Sequence, residues 1–560
     1  MVKRDHNWWK NSIVYQIYPR SFQDTNGDGI GDLKGIIRRL DYLSELGVDV
    51  IWICPVYDSP NHDNGYDVRD YFSILKEFGT IHDIKQLIEE CSARSIKVLM
   101  DLVVNHTSDE HAWFQASRSD IDVPERNWYI WAKGRNGRPP NDLVSYFGGS
   151  AWEYDESSDE YYFHLFTKQQ PDLNWDHPQV RVKVLEMIRW WLDLGIAGFR
   201  MDAITFIKKN RSILLSEPDD AFGVRHANIA CMNQPGVLDY LREIKNTLDQ
   251  YEAVSVAEAP GIARDQLGDY TDAGNGAFNM IFTFDHADID IWGLPKGETR
   301  PWDVRMLKKA FSDWQIEANK FGWVALFLEN HDMIRTVSKL GDDGEYRVES
   351  AKMLAVWYML MRGTPFIYQG QELGMTNAPF AGIEEYRDID ALNYYQEATA
   401  KGVVPETALW YLTQRGRDHS RTPMQWDSGA NAGFTSGEPW IRVNPNHTEI
   451  NVERETEDPE SVLQFYRKLI RLRKENEGFV TGIYRPLFEE SNEIGGYERV
   501  YEDATFTVLC NFSKSIQPIP ELTAEREQSI LLCNRSDHEA GVLKPYEALV
   551  LGANDVSKSK

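Results

Sequence analysis

Gly198-Phe199-Arg200-Met201-Asp202 is the stretch on which the reading of this chain turns. It follows an amphipathic run, Val182 to Leu194, and the breaker Gly195. The apolar residues from Ile196 to Met201 read as a short strand buried on both faces and ended by an acid. Residues two apart on a strand share a face, so Arg200 and Asp202 point the same way. A buried charge pair is either a structural salt bridge or a pair with chemical work to do. The rest of the sequence separates these readings.

Outward from that strand the chain alternates strand-like and helix-like stretches. Strands are expected at Ser12–Phe22, Val48–Val56, Ile96–Val104, Ile196–Ile204, Ala253–Ala259, Phe278–Phe284, Trp323–Leu328 and Pro365–Tyr368. Helical patterns lie between them at Leu33–Leu46, Ile81–Ala93, Val180–Leu194, Val237–Tyr251, Met306–Asn319 and Glu349–Arg362. About eight apolar strands separated by helices are the pattern of an α/β fold of the (β/α)8 TIM barrel type. The alternation lapses from about Thr107 to Trp175, which reads as an inserted subdomain after strand three. It lapses again in the polar stretch Asn377–Val452, before the helix Val462–Asn476 closes the barrel. The tail changes character, with alternating runs at Ala504–Leu509, Ser529–Leu532 and Glu547–Leu551. The expected domains are therefore a barrel over 1–106 and 175–476, an insert over 107–174 and a C-terminal antiparallel β-sandwich domain over 477–560.

The bulk properties narrow the function. A chain of 560 residues with a net charge of −27 does not suit nucleic acid or an anionic membrane surface. Eighteen tryptophans mostly serve the core, yet aromatic faces also suit the apolar faces of sugar rings. The five cysteines, Cys54, Cys91, Cys231, Cys510 and Cys533, are widely spaced with no CxxC pair, as in a reducing, cytoplasmic setting. Met1–Lys10 has no apolar run of a secretion signal, and no stretch is long and apolar enough to span a bilayer. A monomer and a homodimer are equally compatible with the sequence.

In a barrel of this kind the active site lies at the C-terminal strand ends. Strand three ends in Asp101-Leu-Val-Val-Asn105-His106, strand four in Arg200-Met-Asp202, strand five in Val256-Ala-Glu258 and strand seven in Glu329-Asn330-His331-Asp332. Four strands thus deliver acids and histidines to one rim, where clustered carboxylates repel and cost stability. Carboxylates without a phosphate loop or cysteine cluster suit acid/base work on a neutral substrate. Glycoside hydrolysis uses such a set, with one carboxylate as nucleophile or base and another as acid. Arg200 is expected to keep its neighbour ionised, and the other acids to raise the pKa of the proton donor.

These four motifs, in this order, resemble the α-amylase superfamily of glycoside hydrolases over roughly residues 10–476. Gln170-Pro171-Asp172-Leu173-Asn174, Arg421-Thr-Pro-Met-Gln-Trp426 and Ile367-Tyr-Gln-Gly-Gln-Glu372 resemble markers of its α-glucosidase and oligo-1,6-glucosidase branch. The resemblance implies Asp202 as the nucleophile of a retaining mechanism, Glu258 as the acid/base and Asp332 as the third carboxylate that holds substrate hydroxyls. It implies that His106, Arg200 and His331 line the subsite of the reacting sugar. Asp67, in Asn64-Gly-Tyr-Asp67, is similar to the residue that grips the terminal glucose, with Arg417 as its partner ahead of Arg421 and Tyr66 stacked on that glucose. A pocket closed in this way implies exo action on a small oligosaccharide or disaccharide, with no organic cofactor.

Asp24-Thr-Asn26-Gly-Asp28-Gly-Ile30-Gly-Asp32 places oxygen ligands at alternate positions, with glycines for tight turns. It resembles the first part of a Ca2+ loop, the Ile30 carbonyl being a further ligand. An Asp/Asn-rich turn capping the next helix accounts for the same residues. A calcium ion here would be structural.

Linkage preference turns on the residue after the nucleophile. In the resembled branch valine goes with α-1,6 cleavage, and alanine or threonine with α-1,4. Ala203 therefore points to maltose-type α-1,4 bonds, with oligo-1,6-glucosidase action as the alternative. Ala227–Pro235 and Met333-Ile334 depart from the usual patterns on the acceptor side. A sucrose-active transglucosidase or isomerase is a second possibility on the same fold. The segment Phe282–Asp290 lacks the arginine-rich loop of such isomerases and reads as hydrolytic. A non-catalytic scaffold would need a membrane anchor and lost carboxylates, and this chain keeps all three acids.

Overall fold

Eight parallel strands close into a barrel: β1 (Val14–Ile17), β2 (Val50–Ile53), β3 (Lys97–Leu102), β4 (Gly198–Met201), β5 (Val254–Glu258), β6 (Met280–Phe282), β7 (Val324–Leu326) and β8 (Thr364–Tyr368). β8 returns to β1 with Phe366 level with Val14. The structure is a computed structural model and describes residues 7–217, 225–520 and 522–552. The outer ends of the first and last expected domains lie outside those residues. β2 and β8 are buried along their whole length, because helices cover the outside and side chains fill the inside. Trp52, Phe282, Phe327 and Phe366 meet ring to ring within the barrel. Gly198 opens β4 with φ +145°, and a Cβ there would lie 1.9 Å from the Val254 carbonyl oxygen, so this close β4–β5 approach needs glycine.

Most expected helices are present. Ile81–Ala93 begins at a capping box between Thr80 and Asp83, and Pro178 opens the helix Pro178–Asp193 that feeds β4. The expected helix Leu33–Leu46 is instead two, Leu33–Arg38 and Leu40–Leu46. Arg39 leaves the helical region at the break, its Nε donating to Gln23 Oε1 at 2.7 Å and its guanidinium lying 3.9 Å from the Trp426 ring centre.

The insert after β3 carries a small antiparallel sheet (Trp131–Ala132, Trp152–Asp155, Glu160–Phe163). Its ends are tied together where His106 bridges Asp172 and Tyr129 bridges Leu173. Ile130, Trp152, Phe163 and Leu165 share a core with Ala203, Phe206 and Leu214, so the insert rests on the loop that follows β4. The polar stretch 377–452 contains helices Ile389–Ala400, Pro405–Arg415 and Asp418–Arg421. The first two bury their apolar faces in a core of their own, with Tyr394 and Tyr411 at 4.6 Å, and contribute little to the barrel core that the sequence pattern tracks.

The C-terminal strands β9 (Ile483–Leu487), β10 (Ile494–Tyr501), β11 (Ala504–Asn511), β12 (Ile530–Cys533) and β13 (Ala548–Leu551) form an antiparallel sheet in the order β9-β10-β11-β13-β12. A two-stranded ribbon, Gln517–Pro518 with Val542–Leu543, lies beside it. Tyr497 of β10 donates to the Trp357 carbonyl at 2.9 Å, docking the sheet on the barrel helix Arg347–Met359.

The Asp24–Asp32 loop is coiled by its own side chains. Asp24 Oδ1 accepts from the Asn26 and Gly27 amides and its Oδ2 from Gly29, Asn26 accepts from Asp28, and Asp28 from Ile30. Asp32 caps the helix Leu33–Arg38 through the Gly35 amide at 2.7 Å. Thr435 donates to Asp24, and Gln23 Nε2 donates to the Phe434 carbonyl at 2.8 Å, clasping the loop to the stretch 377–452.

Candidate active site

β4 and its neighbours assemble the centre. Register sets Arg200 level with Asp101 on β3 and Val256 on β5, with Asp202 and Glu258 each two residues further along their chains. Arg200 is buried above the Trp52 ring, 5.0 Å from its centre. Its Nη1 donates to Asp101 and Asp202 and its Nη2 to Glu258, each at 2.8 Å. The Ala203 amide donates to the same Glu258 oxygen at 3.0 Å, and Ala203 reaches that position with φ +42°. One cation therefore faces three carboxylates. Burial pushes the carboxyls of Asp202 and Glu258 up to about 7 and that of Asp101 up to about 6, with Arg200 pulling the other way. Such a cluster titrates as a unit and retains a proton near neutrality. Burial thus works against the ionisation of Asp202 that Arg200 favours, and Arg200 is shared among three acids.

Asp332 behaves differently. Its Oδ1 accepts from Arg417 at 2.9 Å and Arg421 at 2.8 Å, and its Oδ2 lies 3.2 Å from His331 Nε2. Burial opposes its charge, but His331 and the two guanidiniums hold its carboxyl well below the usual range. Burial pushes the His331 imidazole itself down to about 3, so near neutrality the ring is uncharged and the arginines carry the effect. The Gln16 amide faces His331 Nδ1 at 2.8 Å. An amide N–H2 can only donate, which leaves the ring proton on Nε2, facing Asp332 and the Tyr66 hydroxyl at 2.7 Å. Tyr66 donates to Asp101 at 3.0 Å and lies parallel on His331, ring centres 5.3 Å apart, so one of its faces is covered.

Asp67 is not where the resemblance put it. Its carboxylate is wholly buried and accepts from Ser59 Oγ at 3.0 Å and from the His62 and Asp63 amides at 2.8 and 3.1 Å. It shapes the loop, and the acid facing Arg417 is Asp63, with Nη2 at 3.6 Å. Gln170 donates to Asp63 at 3.0 Å, and His106 Nε2 lies 2.9 Å from the Tyr66 carbonyl. Arg417 and Arg421 are further held by Asp388. Phe147 of the insert lies under Arg417, at 5.1 Å, and Phe166 is edge-on to His106. Asp202, Glu258, Asp332, Tyr66, His106, Arg200, His331 and Arg417 are thus brought together, and Asp67 stands behind them.

Sequence reasoning missed Asp63, Asp388 and the direct role of Arg421 on Asp332. Asp63 lies four residues before Asp67 in one loop, and only the left-handed turns at Asn61, Asn64 and Gly65 decide which acid faces inward. Asp388 lies in the polar stretch 377–452.

The α-amylase catalytic-domain model matches residues 16–482. The chain belongs to the α-amylase family of glycoside hydrolases. Within this family it is 50% identical to an oligo-1,6-glucosidase of Halalkalibacterium halodurans over 557 residues, 98% of this chain and 99% of that protein. It superposes on trehalose-6-phosphate hydrolase of Bacillus licheniformis with a TM-score of 0.90 and 42% identity, and on isomaltulose synthase of Klebsiella sp. LX3 with 0.93 and 39%. Both superpositions cover 98% of this chain and 99% of the other. This α-amylase-family enzyme is a glycoside hydrolase, and among its described residues no helix is long and apolar enough to cross a membrane.

Proposed function

We propose that this enzyme is an exo-acting, retaining α-glucosidase that releases terminal non-reducing glucose from short α-glucosides. The observation that carries the reading is the Arg200 guanidinium bridging Asp202 and Glu258, with Asp332, Arg417 and Asp63 gathered beside them. The two acids flank one guanidinium, and a retaining mechanism calls for carboxyls about 5–5.5 Å apart. Asp202 attacks the anomeric carbon while Glu258 gives its proton to the departing glycosidic oxygen. Glu258 then takes a proton from water, which displaces the Asp202 carboxylate and restores both groups. Asp332, kept anionic by its arginines, accepts hydrogen bonds from the glucose hydroxyls and opposes the positive charge that develops on the ring. Asp63 and Arg417 hold the far end of the same glucose, in the role the resemblance gave to Asp67.

Ala203 supports α-1,4 bonds, since its methyl group beside the two acids leaves room for the acceptor sugar of maltose. The name carried by the Halalkalibacterium halodurans relative supports α-1,6 action as a second reading. Initial rates of glucose release from maltose, isomaltose, sucrose and trehalose decide between them. Faster release from maltose than isomaltose is expected, the reverse order would install the second reading, and isomaltulose as the main product from sucrose would replace hydrolysis. Asp202→Asn is expected to lower turnover by at least about 10⁴-fold.

A structural Ca2+ in the Asp24–Asp32 loop belongs to the same reading. Asp24, Asn26, Asp28, Asp32 and the Ile30 carbonyl form an all-oxygen donor set, the kind calcium takes. The φ values of +82° and +87° at Gly27 and Gly29 support a tightly coiled loop. Five unpaired thiols support a reducing, cytoplasmic setting.

A further inference from the structure

Cys533, His538 and Glu547 sit together at the edge of the C-terminal sheet. Among the described residues they are the one trio of acid, histidine and thiol groups whose ligand atoms all lie within 4.8 Å of one another. Glu547 Oε1 is the hub, 2.7 Å from His538 Nδ1 and 3.3 Å from Cys533 Sγ. A tetrahedral Zn2+ with Zn–S of about 2.3 Å and Zn–N and Zn–O of about 2.0 Å sets its ligand atoms about 3.3–3.5 Å apart. The Cys533–Glu547 spacing is already close to such an edge, and His538 would have to draw back from Glu547 by about half an ångström to reach one.

Charge points the same way. Glu547 is fully buried and pairs with His538, with the Arg535 guanidinium also close enough to feel its charge. Its other oxygen accepts from the Lys544 amide at 2.6 Å, which fixes the carboxylate in place. A buried carboxylate is costly without a compensating cation. A dication bound between His538 Nδ1 and Glu547 Oε1 would offset the buried carboxylate charge.

We propose that Cys533, His538 and Glu547 form a site for a thiophilic divalent transition metal, with Zn2+ as the best fit and water as the fourth ligand. On binding, the Cys533 proton passes to solvent and the thiolate joins the neutral imidazole and the carboxylate as ligands. The site would brace a docking contact, because the intervening Asn534 donates to the Glu349 carbonyl at 2.9 Å on the barrel helix Arg347–Met359.

The test uses the full chain, stripped with chelator and reloaded with Zn2+ or Co2+. The expected result is one retained equivalent of Zn2+, a thiolate-to-cobalt charge-transfer band and a raised Tm. Band and equivalent should both be lost in Cys533→Ser, and retention weakened at least tenfold in His538→Ala, with glucosidase turnover unchanged. His538→Ala keeps the test valid should Cys533→Ser fold poorly. Failure of the stripped chain to retain Zn2+, or the same band in Cys533→Ser as in the parent, would overturn the proposal.

Discussion

Glu258 has its carboxyl pushed up to about 7 by burial, within a cluster that shares one guanidinium with Asp202 and Asp101. A proton donor works only while protonated, so kcat/KM is expected to fall as pH rises above about 7. Glu258→Gln, assayed on an aryl glucoside whose leaving group needs no proton, should lose that alkaline limb; a limb that persists would assign it elsewhere in the cluster. A second expectation concerns the two acids of one loop. Asp63→Asn should lower kcat/KM by about 10–100-fold by weakening a charge-assisted contact, with Tm little changed. Asp67→Asn should instead cost about 1–3 kcal/mol of stability, since it removes an acceptor from buried amides. Equal effects of both substitutions on KM would reverse the assignment. Here the limit of the sequence is visible. The acids at the ends of β3, β4, β5 and β7 were legible, because a carboxylate closing an apolar run has few other reasons to be there. Which of two acids in one loop turns inward was not, since it depends on the left-handed residues Asn61, Asn64 and Gly65.

At the scale of elements, the eight strands could be read from apolar runs, because a strand covered on both faces has no need of alternation. The helices Ile389–Ala400 and Pro405–Arg415 could not, since their buried faces serve a small separate core. Nor could the break at Arg39, which long-range contacts to Gln23 and Trp426 impose. One junction carries its own expectation. The helix Val452–Glu457 ends near Val462–Glu475, and Glu455 joins them by accepting from the Leu463 amide at 3.0 Å. Burial pushes its carboxyl up to about 7, with Arg347 only partly offsetting it. A folded-state pKa raised above the unfolded value means the folded chain holds the extra proton between about pH 4.5 and 7. Stability contributed by this group is therefore lost as pH rises through that window. Glu455→Gln keeps the acceptor and removes the charge, so its Tm relative to the parent should climb between pH 5 and 8, by up to about 3 kcal/mol in stability. A pH-independent difference would show that Glu455 is not the group responsible.

For the whole molecule, the loop Asp24–Asp32 and the stretch 377–452 are clasped together, and the latter supplies Arg417 and Arg421 to the pocket. Removing calcium is expected to lower Tm and, through Thr435 and Phe434, to weaken turnover as well. Asp28→Ala should reproduce the loss and be insensitive to added Ca2+; a parent whose Tm ignores chelator would remove the ion from the account.

The same clasp constrains the timetable of synthesis. Asp24 and Thr435 are 411 residues apart, and Asp202 precedes the arginines that complete its pocket by more than two hundred positions. On the ribosome Asp202 and Glu258 emerge long before Arg417, Arg421 and Thr435. The nascent chain must carry a cluster of under-compensated carboxylates until its last third is made, so a truncated translation product would hold the catalytic acids without being able to finish the site.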